Sequence, residues 1–162
     1  MPDRKEDIQK FIQNRGDIPL MKKMLDDGTI SDINVLFDNG LSTNTALMYQ
    51  VIFGTIEGMK FLLSYDSPAN PNIQDKNGWT TLHKVVWNGE IDKLGKAKQL
   101  AKVRLLLKYG ADKTIKDNNG KTALDIAKGS SSCNVCIKVI NTYKQNSKKR
   151  KTVRKLTRKN KQ

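Results

Sequence analysis

Cys133 and Cys136 are the only cysteines of the chain and His83 its only histidine, so any thiol or imidazole chemistry must be built from these three side chains. A tetrahedral zinc site normally takes four ligands. One Cys-x-x-Cys with a single histidine about fifty residues away falls short of a Cys/His set. A redox dithiol of the same spacing wants a βαβ setting, and none is read from this chain. The expectation is two reduced, partly buried thiols. Nucleophilic catalysis asks for a base oriented beside a nucleophile, and the Asp and Glu residues are scattered on turns without an apolar pocket to shift them. No phosphate-cradling G-x-x-x-x-G-K-[ST] or G-x-G-x-x-G occurs. No catalytic residue, metal, nucleotide or cofactor is expected, and the chain reads as no enzyme.

The other chemistry on offer is cationic. The 162 residues carry a formal net charge of +14, a composition that suggests polyanion binding until it is divided along the chain. Ten Lys/Arg and no Asp/Glu lie between Lys144 and Gln162, which leaves +4 for everything before them. The basicity belongs mainly to this tail, and charge alone indicates no polyanion-binding face on the remainder. Like-charge repulsion and few apolar residues predict that residues 143–162 are disordered when free. Lys148, Lys149, Arg150 and Lys151, followed by Arg154 and Lys155, resemble a monopartite nuclear localisation signal. Such runs also contact nucleic acid or acidic membranes, bind other acidic partners, or merely solubilise.

The elements before the tail repeat one pattern. Asp75-Lys76-Asn77-Gly78-Trp79-Thr80-Thr81-Leu82-His83 joins a reverse-turn dipeptide, Asn77-Gly78, to a threonine placed to cap a helix. Gly89 stops that helix after about two turns, too short to bury enough surface alone. Asp117-Asn118-Asn119-Gly120-Lys121-Thr122-Ala123-Leu124 repeats turn and cap, and Asn44-Thr45-Ala46-Leu47-Met48 repeats the cap. Apolar triples at i, i+3, i+4 recur in register: Met21, Met24, Leu25; Met59, Leu62, Leu63; Val103, Leu106, Leu107; Cys136, Val139, Ile140.

This pattern resembles the ankyrin repeat, a unit of about 33 residues with a T-P-L-H-x-A signature. Thr80-Thr81-Leu82-His83 departs from the signature at one position, and Leu106-Leu107 followed by Gly110-Ala111-Asp112 matches the family's other mark. The resemblance implies an all-α solenoid of stacked helix-turn-helix units with β-turn fingers. It assigns His83 to a structural place bridging adjacent turns.

On that reading residues 1–37 form a degenerate N-terminal capping repeat, in which Asp17 caps the second helix with Pro19 in its first turn. Residues 38–74 form a repeat with a finger about three residues longer than the pattern. There Gln50 replaces a small apolar residue, so either the helix is rotated or the amide bonds to a neighbouring finger. Residues 75–116 form a repeat with a nine-residue insertion that predicts a second helix extended at its N-terminus by roughly 10 to 14 Å. Its Lys93, Lys96, Lys98 and Lys102 make that extension basic, as a solvated surface or a partner-contacting projection. Residues 117–142 form a truncated C-terminal repeat.

The resemblance implies a function in the surface, namely protein–protein interaction through the concave groove of fingers and first helices. The matching positions are Lys76, Asn77, Trp79, Trp87 and Asn88, joined by Ile52, Phe53, Asn118, Asn119 and Lys121. Tryptophan is enriched among residues that dominate interfaces, although Trp79 and Trp87 could equally pack between fingers and units. The expected partner is another protein, with nucleic acid, an acidic membrane or an importin-type receptor as the alternative through the tail. No signal-like or spanning apolar stretch is present, so a soluble, monomeric, intracellular protein, cytoplasmic or nuclear, is expected. Short divergent arrays with insertions and basic tails are similar in style to proteins that large DNA viruses and intracellular bacteria use on host cells; no F-box-like segment accompanies this one.

Overall fold

Asp17, Thr45 and Thr55 each start a helix by accepting a backbone N–H bond on the side chain, from Leu20 (3.0 Å), Met48 (3.2 Å) and Gly58 (2.9 Å). These caps satisfy donors that the first helical turn leaves open. They open three of eight helices in the computed structural model, which describes residues 3–38, 40, 42–87, 93–129 and 133–144. In order these are α1 (Lys5–Ile12), α2 (Ile18–Asp26), α3 (Ala46–Phe53), α4 (Ile56–Ser64), α5 (Thr81–Trp87), α6 (Lys93–Lys108), α7 (Ala123–Gly129) and α8 (Asn134–Thr142). Two short strands, β1 (Phe37–Asp38) and β2 (Thr43–Asn44), pair antiparallel, with Phe37 opposite Asn44 and Asp38 opposite Thr43. The three extra residues of that finger thus lengthen it into a small hairpin.

Helices pack in antiparallel pairs, α1 with α2, α3 with α4, α5 with α6 and α7 with α8. The first helices line up as α1–α3–α5–α7, and α4–α6–α8 form the second row. The substantial contacts run only within a pair or to the next one, which is the quasi-one-dimensional arrangement of a solenoid.

The core follows the register. Met21, Met59, Leu62, Val103, Leu106, Cys136 and Ile140 are all sealed from solvent, as are Leu47 and Leu82 on the first helices. The predicted extension of the third unit is present. α6 has 16 residues where α2, α4 and α8 have nine, a surplus worth about 10 Å at 1.5 Å per residue.

Three details differ from the sequence reading. Lys102, expected on a basic surface, is buried, and its ammonium donates to the Val51 carbonyl at 2.7 Å. Gln99 beside it is buried too and donates to Val85 O at 2.7 Å, while Lys96 and Lys98 are exposed and the side chain of Lys93 lies outside the described residues. The periodicity of α6 turns one edge of the extension onto α3 and α5 instead of into water. Gln50 does bond a neighbour, but not a finger: its amide donates to the Asn14 carbonyl in the turn between α1 and α2 and accepts from Thr55 N at 3.1 Å. A Cβ on Gly54 would collide with this amide, so the glycine is what gives it room. Finally, Cys133 and Cys136, expected as reduced and partly buried, are joined in a disulfide and are fully buried. Cys133 leads into α8, which brings the two side chains onto one edge at the base of the helix.

Candidate functional site

Each finger is built around one aspartate. Asp75 Oδ1 accepts from Asn77 N and Trp79 N, both at 2.8 Å, and the turn closes with Gly78 N on Asp75 O at 2.9 Å. Asp117 does the same with Asn119 N and Lys121 N, both at 2.9 Å. Gly78 has φ +76°, and a Cβ there would meet the Asn118 backbone nitrogen at 2.7 Å. Glycine therefore serves both the left-handed turn and the close approach of the next finger.

The two fingers are stitched together by residues expected in the groove. Asn118 N donates to Asn77 O at 3.1 Å and Asn118 Nδ2 to Lys76 O at 3.0 Å. Lys76 reaches back to the longer finger, donating to Gly40 O at 3.3 Å and lying 3.8 Å from Asp38. The peptide groups and the amide of this set therefore serve finger alignment. The side chains of Lys76, Asn77, Asn119 and Lys121 remain exposed.

His83 is the buried pivot between the third and fourth units. Its Nδ1 lies 3.1 Å from Thr80 N, whose hydrogen makes that nitrogen an acceptor, so Nε2 carries the proton and donates to Lys121 O at 3.2 Å. Burial pushes the imidazole below its ordinary value, against the weaker pull of the Lys121 carbonyl, Asp117 and Asp75. For Asp117 burial pushes upward, yet the Lys121 and Asn119 amides and the Trp79 indole together hold the carboxyl below the usual range. This occupied, neutral histidine has a structural role, as its place in the signature implied.

The two tryptophans divide in their surroundings. Trp79 is half-buried, its Nε1 donating to Asp117 Oδ2 at 3.2 Å across the finger boundary. Trp87, the last residue of α5, is 60% exposed and meets Trp79 edge-on at 5.5 Å between centroids. Phe53, the last residue of α3, is 55% exposed and packs on Tyr49 at 4.9 Å. α3 and α5 pack side by side, and each ends in an exposed ring with an aromatic neighbour, Phe53 with Tyr49 on α3 and Trp87 of α5 with Trp79 of the finger. Ile52 is only half-exposed. Asn88 and the tail residues Lys148, Lys149, Arg150, Lys151, Arg154 and Lys155 lie outside the described residues.

Two contributors were missed in the sequence. Tyr49 stands four residues before Phe53 on α3, a spacing that places both rings on one helix face. Lys84 ion-pairs with Asp75 at 2.6 Å and lies 5.6 Å from the Trp79 ring centroid, bracing the indole from below. Its position one residue after His83 gave no chemical signal of this, because the partner acid precedes it by nine residues. Among the described residues no helix is long and apolar enough to cross a membrane.

The stacked pairs, the aspartate-centred fingers and the bridging histidine define a repeat protein of the ankyrin class. The chain belongs to the ankyrin-repeat family: a model described as ankyrin repeats (3 copies) matches residues 9–117 and again 69–151. Members of this family are generally non-catalytic scaffolds that serve as protein-interaction modules. The chain is similar in structure to the ankyrin repeat protein EF0377, with 28% identity, a TM-score of 0.66, and coverage of 86% of this chain and 64% of that one. It shares the fold of the ankyrin repeat domain of Bcl-3, described as a unique member of the IkappaB protein family, at 24% identity and a TM-score of 0.57 over 75% of this chain and 45% of that one. It thus spans less than two thirds of the length of either. No curated protein sequence matches it.

Proposed function

We propose that this chain is a non-catalytic binding module that holds a partner protein along the edge formed by its fingers and the ends of its first helices. The observation that carries the reading is the pair of aromatic side chains, Phe53 and Trp87, left more than half exposed as the last residues of two neighbouring helices, α3 and α5. Exposed rings that contribute nothing to the core cost solubility, and large rigid rings are the residues that anchor interfaces. Trp79, Asn118 and Lys76 hold the fingers in place beside them. The same reading makes the protein a monomer that works inside the cell, in cytoplasm or nucleus. The test is affinity capture with the full chain and with a Phe53→Ser/Trp87→Ser variant. Loss of captured proteins at unchanged helicity and melting temperature is expected; retention of every one of them overturns the proposal.

A second reading rests on the ten Lys/Arg between Lys144 and Gln162. In it the tail binds a polyanion or serves as a nuclear signal, and the repeats present it. Binding should then fall steeply with salt and be unaffected by Phe53→Ser/Trp87→Ser.

A further inference from the structure

The charge of +4 that remains before Lys144 is not spread evenly along the chain. Nine Lys/Arg face thirteen Asp/Glu up to Asp92, whereas eleven face three between Lys93 and Tyr143. Because the helix pairs stack in chain order, the first part of the stack is acidic and the last part basic. The three acids of the basic part are Asp112, Asp117 and Asp125, and all lie outside α6 and α8. Asp112 accepts from Thr114 N and Oγ1 at 3.0 and 2.7 Å, Asp125 from Thr122 N and Oγ1 at 3.0 and 2.6 Å, and Asp117 is buried in its finger.

The cations of α6 are turned to solvent. From Lys96 onward its exposed residues are Lys96, Ala97, Lys98, Arg104 and Lys108, four cations and one methyl group. None of the four forms an ion pair among the described residues. They are spread over about 18 Å of rigid helix at 1.5 Å per residue. Glu90 and Asp92, which precede α6, lie outside the described residues, but Arg104 stands about 16 Å along the axis from the first residue of the helix, beyond a Debye length at physiological salt. α8 packs beside α6 and has no acid either. By the apolar triples Leu107 on α6 matches Ile140 on α8, so Lys108 stands level with Asn141, and Lys144, where the basic tail begins, follows three residues on.

We infer that the exposed face of α6, continued by the tail, binds a nucleic-acid duplex through its phosphates. The inference rests on the second reading above, in which the tail binds a polyanion, and adds to it a site on the folded stack. Charge complementarity names the occupant. A duplex carries one negative charge per about 1.7 Å of its axis, so a row of rigid cations meets several phosphates at once, and the Arg104 guanidinium can take one with two N–H groups. A partner protein asks for an apolar anchor and an acidic membrane for an apolar side chain to insert; from Lys96 onward α6 exposes neither. Single strands add stacking on aromatic rings, and Tyr109, just past the end of α6, already has the Lys108 ammonium 6.0 Å from its ring centroid. Contacts to phosphate carry no sequence information, so the binding is independent of base sequence. The tail has the same sign of charge as the face and does not neutralise it.

The test is titration of the full chain against a DNA duplex of about 20 base pairs, followed by fluorescence anisotropy between about 50 and 200 mM salt. Arg104→Gln/Lys108→Gln is expected to weaken binding roughly tenfold or more and to lower the slope of log affinity against log salt by about 2, with helicity unchanged. Lys96→Gln/Lys98→Gln, elsewhere on the same face, should act in the same direction. Lys22→Gln/Lys23→Gln removes equal charge at the acidic end of the stack and should leave the slope unaltered. Replacing Lys148, Lys149, Arg150 and Lys151 by glutamine should weaken binding without erasing the effect of Arg104 and Lys108. The inference is overturned, and the tail reading kept, if that tail variant abolishes binding while both α6 variants leave it unchanged. Equal losses from the α2 and α6 variants also overturn it, since net charge alone would then suffice. So does a response to Arg104→Gln/Lys108→Gln that is seen with phosphatidylserine vesicles or poly-glutamate and not with the duplex. No binding of the duplex at all removes both the face and the tail as duplex contacts.

Discussion

Lys84 Nζ lies 2.6 Å from Asp75 Oδ2, and the two side chains are 11% and 0% exposed, so the third finger is tied to its own helix by a nearly dry ion pair. Because Asp75 also receives two backbone N–H bonds, removing the cation strands a buried carboxylate that the turn cannot release. Lys84→Ala is expected to cost about 3 kcal/mol, and an Asp75→Asn/Lys84→Met double variant less than the sum of the single changes. Denaturant unfolding of the four proteins in the cycle checks this.

Stability should depend on pH through one group near neutrality. His83 is the only histidine, and its folded value lies below the ordinary one. A depressed value means the fold prefers neutral imidazole, whose Nδ1 accepts from Thr80. The contribution is therefore complete above about pH 6.5 and is lost as pH falls from there through the folded value. Thermal melts between about pH 5 and 7 should show decreasing stability on acidification, and His83→Gln should flatten that slope. The depressed carboxyls of Asp117 and Asp125 act only at lower pH.

Gln50 should be costly to replace even though small apolar residues suit its position in the family pattern. Gln50→Ala leaves the Asn14 carbonyl and the Thr55 amide without their shared partner and opens space beside Gly54. A loss of about 2 kcal/mol is expected. Hydrogen exchange at the Thr55 amide should accelerate in the same variant, localising the effect to the joint between first and second units.

The tryptophans should separate in a stability assay. Trp79→Phe removes the bond to Asp117 and part of the finger packing, with an expected cost of about 1–2 kcal/mol. Trp87→Ser touches an exposed ring and should stay within about 0.5 kcal/mol. Equal costs from unfolding curves would contradict this division.

Cys133 and Cys136 predict that denatured but unreduced protein titrates no free thiol. Closing so short a loop constrains the unfolded chain little, so reduction should lower stability by only about 1–2 kcal/mol. In a reducing compartment the pair would open at that modest cost.

Much of the fold is legible locally. Asp17 and Thr45 are helix caps because a short oxygen-bearing side chain at that offset reaches an open N–H, whatever lies beyond. Asn77-Gly78 and Asn119-Gly120 announce turns for an equally local reason, and the apolar triples fix which edge of each second helix faces inward. The surplus of α6 could likewise be counted from the spacing of successive fingers, Asp75 to Asp117, against the repeat unit of about 33 residues.

The sequence alone thus determined the repeat register, the turns, the caps and the length of the third unit, all of which depend on residues within a turn or two of each other. Only the tertiary structure decided that Trp87 and Phe53 face solvent while Trp79 is tied to Asp117. The same holds for Lys102, which ends beneath α3, and for Gln50, which bridges two inter-helix turns. The partners of Gln50, Trp79 and Lys102 lie 36 to 51 residues away in an adjacent unit. That is set by the stacking of whole helix pairs, and it leaves no mark on the residue types nearby.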